Sequence, residues 1–292
     1  TCISRGLKVD EFAPRLSFFF CCTMDFFEEV AKFRAARRIY AKIMKERFDA
    51  KNEKSTHLRF HVQTSGESLT AQQVDNNVVR VTLEALSAVL GGCQSLHTNS
   101  RDEALALPTE ESVKVALRTQ QIIANETGVT KTVDPLSGSH YLEYLTTKIE
   151  EGVEKYLKKI EKLGGSLAAI EKGYFQEEIR RNAYQLKKEI DYNDRIIVGV
   201  NKFQDQNDIE PQLNTIDPEI EIRQVKKLIE FKNNRDQTKV SSEISKLRKF
   251  AEREVENLMP HIISAVKGHV TLGEISDVFV DIFGRYEPKF SF

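Results

Sequence analysis

The 292-residue sequence predicts an α/β fold in which successive strand–helix units pair in parallel, followed by a mainly α-helical half. Three observations predict it. Short strand candidates occur at 15–21, 58–64 and 93–98, the first two rich in Phe, Val and Leu, and each is followed by a helical repeat. The segments between them are long enough for crossover helices. After Gly128 the strand signal nearly disappears and one amphipathic helix follows another.

The elements are expected in this order. Pro14 admits a strand at its start, giving 15–21. Asp25 then caps a long helix in which Phe26, Val30, Phe33, Tyr40 and Ile43 recur at near-helical spacing, fading near 49–52. The second strand, 58–64, is broken by Ser65-Gly66. A second helix places Val79, Leu83, Leu86 and Leu90 on one stripe and ends at Gly91-Gly92. The third strand is 93–98 and the third helix covers about 110–125. Beyond the loop 132–138, a helix carries Leu142, Leu145, Ile149, Val153, Leu157, Ile160 and Leu163 and closes at Gly164-Gly165. Helices at about 166–190, 218–234 and 236–256 follow, with a short strand candidate at 196–200. Pro260 suits a helix first turn, Thr271-Leu-Gly-Glu274 is a capping box, and 286–292 reads as a loose tail. The expected division is 1–130 for the strand–helix units and 131–292 for the helical region.

Composition narrows the function classes. Hydrophobic residues at 40% and charged residues at 30% support one large domain or two smaller ones. The net charge of −1, with both signs interspersed, argues against nucleic acid or an anionic membrane as partner. There is no apolar run of about 18 residues and no leader-like start, so the expected location is the cytoplasm. Cys2, Cys21, Cys22 and Cys93 form no CxxC pair and are expected as small buried hydrophobes in a reducing compartment.

Strand alternation supplies the first functional clue. Arg59, His61 and Gln63 share one face of the second strand, opposite Leu58, Phe60 and Val62, and Arg15 and Ser17 share a face of the first. The apolar face can pack on helices, which leaves polar side chains on the far side of a parallel sheet. In a βα barrel that side is a lumen usually filled with branched aliphatics, so a polar lining implies water or a polar ligand. Solvent-facing residues of an open sheet would give the same pattern. The run "GGCQSLHTNSRDEALALP" (91–108) mixes a thiol, an imidazole, amides and carboxylates, yet Cys93 and His97 supply only two metal ligands. The six histidines show no HExxH or HxH spacing and no GxSxG elbow occurs, so neither a metal site nor a serine nucleophile is expected.

The segments "DEFAPRLSFFF" (10–20), "DFFEEVAKFRAARRIYAKIMKERF" (25–48), "RFHVQTSGESLTAQQ" (59–73), "VLGGCQSLHTNSRDEALALPTE" (89–110) and "ALRTQQIIANETGV" (116–129) closely resemble the methylmalonyl-CoA mutase large subunits and their acyl-CoA mutase relatives. The likeness continues through "TVDPLSGSHYLEYL", "IEKGYFQ", "IIVGVNKF", "NLMPHIISAVK" and "TLGEISDVF". It implies the C-terminal part of a (β/α)8 TIM-type barrel, about three βα units, followed by a mainly α-helical extension. In the family the coenzyme A thioester enters along the barrel axis and adenosylcobalamin lies across the C-terminal rim. Homolysis of the cobalt–carbon bond gives a radical that abstracts hydrogen from the substrate, whose carbon skeleton then rearranges.

By motif, the resemblance implies substrate contacts at Arg15, Ser17, His61, Gln63 and Gln94, with His61 and Gln63 nearest the chemistry. It implies cofactor contacts at Gly66, Asn99, Glu103, Ala104 and Ala106. The implied reaction interconverts methylmalonyl-CoA and succinyl-CoA, with isobutyryl-, 2-hydroxyacyl- or ethylmalonyl-CoA as alternative substrates. The implied partners are the N-terminal barrel part, which in the family carries further substrate-reading residues, and a small cobalamin-binding subunit, in a hetero-oligomer. No DxHxxG motif of the cobalamin-binding domain occurs in the sequence. Departures from the family pattern are Cys21-Cys22-Thr23 in place of Asn-Ala-His, Glu67 in place of Trp, and Asp75 in place of an aromatic. A different class of reading is a noncatalytic barrel remnant that acts as an interaction module with an obligate partner.

Overall fold

A computed structural model describes residues 2–205, 212–253 and 257–287. The chain forms two compact units, Thr1–Thr215 and Ile216–Phe292. The change of texture read at residue 130 thus falls inside the first unit.

In the first unit a short helix α1 (Val9–Phe12) precedes β1 (Phe18–Cys22), α2 (Phe26–Glu46), β2 (Phe60–Thr64), α3 (Asn76–Leu90), β3 (Ser95–His97) and α4 (Glu110–Glu126). The strands form a parallel sheet in the order β1-β2-β3, with Phe18 opposite Phe60 and His61 opposite Ser95. Helices α5 (His140–Lys162), α6 (Ser166–Glu171) and α7 (Tyr174–Asp191) complete the unit. The second unit holds α8 (Pro218–Asn234), α9 (Gln237–Ala251), α10 (Met259–Lys267) and α11 (Leu272–Phe283). The architecture is therefore α/β with a three-stranded parallel sheet and eleven helices among the described residues.

One face of the sheet is covered. Phe33 of α2 stacks on Phe60 of β2 with ring centroids 5.3 Å apart, and Phe20 of β1 meets Phe60 edge-on at 5.4 Å. Cys22, Leu58, Val62 and Ala88 close this cluster. Each buried Phe contributes on the order of 1.5–3 kcal/mol, which makes this cluster the main anchor of the sheet. Asp25 caps α2 by accepting from the Glu28 N–H, as its position ahead of the helical repeat predicts.

Helix α5 lies along α2 through a ladder of ion pairs. Arg34 pairs with Asp134 and Glu143, Arg38 with Glu150, Lys42 with Glu154, and Arg47 with Glu161. Spacings of four to five residues put the basic groups on one face of α2, and spacings of four and seven put their acidic partners on one face of α5. The outer pairs are exposed and contribute little each; they fix register more than they add stability.

Several expectations are corrected. The first strand starts at Phe18, because Pro14 sets up a 3-10 turn, Ala13–Arg15, that keeps Arg15 out of the sheet. The apolar stripe of α3 does not face the core: Val79 and Leu83 are exposed, while Asn77, Arg80, Val81, Glu84, Ala85, Ser87 and Ala88 are buried. Of the two glycines after α3, Gly91 is helical and only Gly92 is left-handed, at φ +80°. The helix expected at 166–190 breaks at Gly173, whose φ is +71°. Segment 196–200 is a turn with one isolated bridge, Val198 to Lys202, since left-handed Gly199 bends the chain. Cys2 and Cys21 are exposed, and only Cys22 is fully buried. Within the expected tail, residues 288–292 lie outside the described residues.

In the second unit Val240, Leu247, Ala265, Val270, Ile275 and Val278 form the core. The Thr271–Glu274 capping box is present, and Arg235 pairs with Glu274 beside it. Hydrogen bonding from Arg235 holds the Glu274 carboxyl down to about 2. A depressed folded value means that stability present above the ordinary 4.5 is lost as the pH falls towards about 2. Acid titration should therefore weaken hydrogen-exchange protection of the first turn of α11, and Glu274→Gln should remove that pH dependence.

Gly91 is a packing requirement. A Cβ there would sit 2.5 Å from Phe33 Cδ2. Gly91→Ala should cost about 1–3 kcal/mol in urea unfolding, as overpacking of a filled core does, whereas Gly6→Ala, where nothing lies within 4 Å, serves as the comparison for a glycine limited by its φ alone.

Candidate functional site

The uncovered face of the sheet carries two rows across the three strands. Register places Phe19, His61 and Ser95 in one row and Cys21, Gln63 and His97 in the next. The Phe19 and His61 rings lie 4.9 Å apart, and His61 Nδ1 is 2.6 Å from Ser95 Oγ. That pairing fixes the imidazole and leaves Nε2 as its other polar atom. Phe19 is 63% exposed, so the face is a surface in this chain rather than a packed interior.

At the amino end of the strands, Gln94 uses its side-chain amide on the backbone. Its Oε1 accepts from Phe60 N at 2.7 Å, and its Nε2 donates to Gly92 O at 2.9 Å. Arg15 and Ser17 are exposed just before β1. Arg59 donates to Pro14 O and to Leu16 O, holding the turn that precedes β1.

The carboxyl end is where the remaining expected residues converge. Asn99, 1% exposed, donates its backbone N–H to Thr64 Oγ1 at 2.9 Å and accepts from Gln63 Nε2 at 3.2 Å. Its own Nδ2 has no partner. A Cβ on Gly66 would stand 3.4 Å from that Nδ2 and 3.8 Å from Glu103 Oε1. Gly66, Asn99 and Glu103 thus border one small space, with a buried donor aimed at it. Leaving such a donor unpaired costs about 1–3 kcal/mol, which a ligand acceptor would recover. Ala104 is exposed and Ala106 half-buried on the adjoining turn.

That turn is built by a residue the sequence did not single out. Asp102, 2% exposed, accepts from Thr109 N at 3.0 Å, and its carbonyl accepts from Leu105 N and Ala106 N. Asn77 Nδ2 donates to Thr70 O and to Arg101 O, tying the loop after β2 to the loop after β3. Asp75, a departure from the family pattern, pairs with Arg101 at 2.6 Å across the same two loops. A signal for Asn77 and Asp102 existed in the sequence only as polar residues in or beside the loops that follow strands.

The other readings of 91–108 find no support in the geometry. Burial raises the Cys93 thiol above its ordinary range, away from thiolate chemistry. Among the described residues no group of three or more His, Cys, Asp or Glu is placed to hold a metal ion. No described helix is long and apolar enough to cross a membrane.

The sequence matches the model of the Methylmalonyl-CoA mutase family over residues 1–285. The chain belongs to the methylmalonyl-CoA mutase family. It is 49% identical over 282 residues to the 2-hydroxyisobutanoyl-CoA mutase large subunit of Aquincola tertiaricarbonis, covering 96% of this chain and 50% of that protein. It is 43% identical over 285 residues to the methylmalonyl-CoA mutase of Rhizobium meliloti, covering 97% of this chain and 40% of that one. The methylmalonyl-CoA mutase large subunit of Propionibacterium freudenreichii subsp. shermanii is 43% identical over 294 residues, with 98% and 40% covered. The chain spans half or less of the length of these relatives. Within that span lie both the uncovered sheet face and its carboxyl rim.

Thr64 is the hinge of this arrangement, since its buried hydroxyl accepts the Asn99 N–H. Thr64→Val keeps the shape and removes the acceptor; it should lower stability by about 1–3 kcal/mol in chemical unfolding, as an unpaired buried N–H does.

Proposed function

We propose that the chain contributes three βα units and their C-terminal rim to the (β/α)8 barrel of an adenosylcobalamin-dependent acyl-CoA mutase. In this reading 1–130 is the partial barrel and 131–292 the helical extension. The remaining strands, on this or another polypeptide, close the barrel over the uncovered face and turn it into a lumen. A separate cobalamin-binding domain or subunit presents the cofactor to the rim.

The observation that carries this reading is the buried, unpartnered Asn99 Nδ2 beside Gly66 and Glu103 at the carboxyl end of a parallel sheet. Carboxyl ends of barrel strands are where such folds place their chemistry. Asn99 and Glu103 would hold a ribose, one donating and one accepting, while Gly66, Ala104 and Ala106 leave room for a flat ring system. Arg15, Ser17, His61, Gln63 and Gln94 would line the path of the acyl-CoA from the amino end of the strands upward. When bound, the cofactor supplies a carbon-centred radical that abstracts hydrogen from the substrate. The chain's own part is to orient and enclose: His61, held by Ser95, directs one nitrogen towards the ligand, and the Phe19 ring narrows the space beside it.

The reaction proposed is the methylmalonyl-CoA to succinyl-CoA rearrangement. A second reading, with a 2-hydroxyacyl-CoA as substrate, is favoured by one observation. The chain is 49% identical to the 2-hydroxyisobutanoyl-CoA mutase large subunit and 43% identical to the two bacterial methylmalonyl-CoA mutases.

The chain, co-expressed with a candidate N-terminal barrel part and cobalamin-binding subunit, should bind adenosylcobalamin and, on adding methylmalonyl-CoA, succinyl-CoA or a 2-hydroxyacyl-CoA, change the cofactor's absorption spectrum and form the rearranged ester. An assembled complex that binds cofactor and acyl-CoA yet converts none of them would sink the reading. Gly66→Ala, whose Cβ meets only ordinary contacts, should leave stability within about 0.5 kcal/mol while weakening cofactor binding at least tenfold.

A further inference from the structure

Behind the rim lies a carboxyl group that neither the expected substrate contacts nor the cofactor contacts use. Glu84 of α3 is 1% exposed. Its Oε2 accepts from Ser65 N at 3.1 Å. The same Ser65 N–H donates to Cys22 O at 2.7 Å, continuing the β1–β2 ladder one step past Thr64. Glu84 therefore grips the loop from below at the residue before Gly66. Within that loop Leu69 N donates to Gly66 O at 3.2 Å, so its turns move together.

We propose that Glu84 is a positioning residue: a carboxyl clamp under the loop after β2 that sets the height of Gly66 against Asn99 and Glu103, closed when the acid is neutral and loosened when it ionises. Its consequence for a bound cofactor rests on the reading of that rim given above; its action on the loop does not.

The surroundings give the direction. Glu84 Oε1 is buried without a partner, so an ionised carboxylate would leave half its charge unsolvated. Facing it are Glu29 of α2, whose charge opposes ionisation, and Arg80 of α3, whose charge favours it. Lys32 is paired with Glu29, and Cys22 of β1 is held by Glu84 O and Ser87 Oγ. Burial is the largest effect and lifts the Glu84 carboxyl from its ordinary 4.5 to about 7. With the loop lifted, Glu84 meets water and ionises at its ordinary value. Between the two values the open form therefore holds fewer protons, and the closed form loses ground up to about tenfold per pH unit.

Hydrogen exchange of the full chain, without cofactor or partner, tests this. After correction for intrinsic rates, protection of the amides in residues 65–69 should fall about a hundredfold between pH 5 and pH 7.5 and level off above. Glu84→Gln keeps an acceptor for Ser65 N and cannot ionise, so its protection should stay at the low-pH level throughout. Glu84→Ala should lose protection of this loop at every pH while α2 keeps its own. A wild-type pH profile in Glu84→Gln, or wild-type loop protection at pH 5 in Glu84→Ala, overturns the proposal. Because no cofactor enters the measurement, failure of the mutase reading would leave this result intact.

Discussion

The height of α2 over the sheet is set by one contact, the Phe33 ring held between Phe60 and the backbone of Gly91. A stacked distance of 5.3 Å on one side and no room for a Cβ on the other leave the ring a single position. From that position the rest follows. Phe20 and Val62 are covered, so Phe19, Cys21, His61 and Gln63, at alternate places on the same strands, must face the other way. The basic face of α2 is turned to α5, whose acidic partners lie on one face of that helix. Packing on one face thus decides the composition of the uncovered face without touching it.

The rim depends on a second layer. Thr64, Glu84, Asn77 and Asp102 are all buried, and each satisfies the backbone of a loop after a strand. Loops without such support would carry unpaired polar groups, and the protein interior tolerates few of those. Here the exceptions are informative. Besides Asp102 Oδ1, Asn99 Nδ2 and Glu84 Oε1 are left without partners, these two on the two sides of the Gly66 loop. One is aimed at space that a ligand can fill. The other is closed in by protein, and protonation is its least costly resolution.

Much of this could be read in the sequence, and the misses share a cause. Parallel strand–helix units, the Asp25 cap, the Thr271 capping box and the two faces of β2 all follow from local chemistry and period. The convergence of Gly66, Asn99 and Glu103 was accessible only through the family resemblance, since three loop positions up to 37 residues apart carry no periodic signal. The stripe Val79, Leu83, Leu86 and Leu90 marks the helix, but apolar spacing alone cannot distinguish a face that packs on the sheet from one that does not. In α3 the buried positions are filled by Asn77, Arg80, Glu84 and Ser87 beside Val81 and small alanines. That choice makes sense only once these side chains are seen to hold loops. Arg15 failed as a strand residue for a simpler reason: Pro14 favours a turn as readily as a strand start.

The departures from the family pattern sort themselves on the same geometry. Cys21, Cys22 and Thr23 are adjacent in sequence, but the strand sends them to different places. Cys22 points into the backing layer, where its thiol donates to Glu84 O at 3.1 Å and meets Ser87 Oγ at 3.1 Å. The Thr23 hydroxyl donates to Glu29 Oε1 at 2.9 Å, within the same layer. Only Cys21 reaches the row of Gln63 and His97. Under the proposed function, the change that bears on substrate is therefore one small thiol in place of an amide, which withdraws a donor and an acceptor from the lumen. The other two changes alter what surrounds the carboxyl beneath Gly66. A thiol on its backbone carbonyl and a hydroxyl on the neighbouring glutamate act on the loop clamp, so substrate preference and rim geometry can diverge from the family through three consecutive residues by separate physical routes.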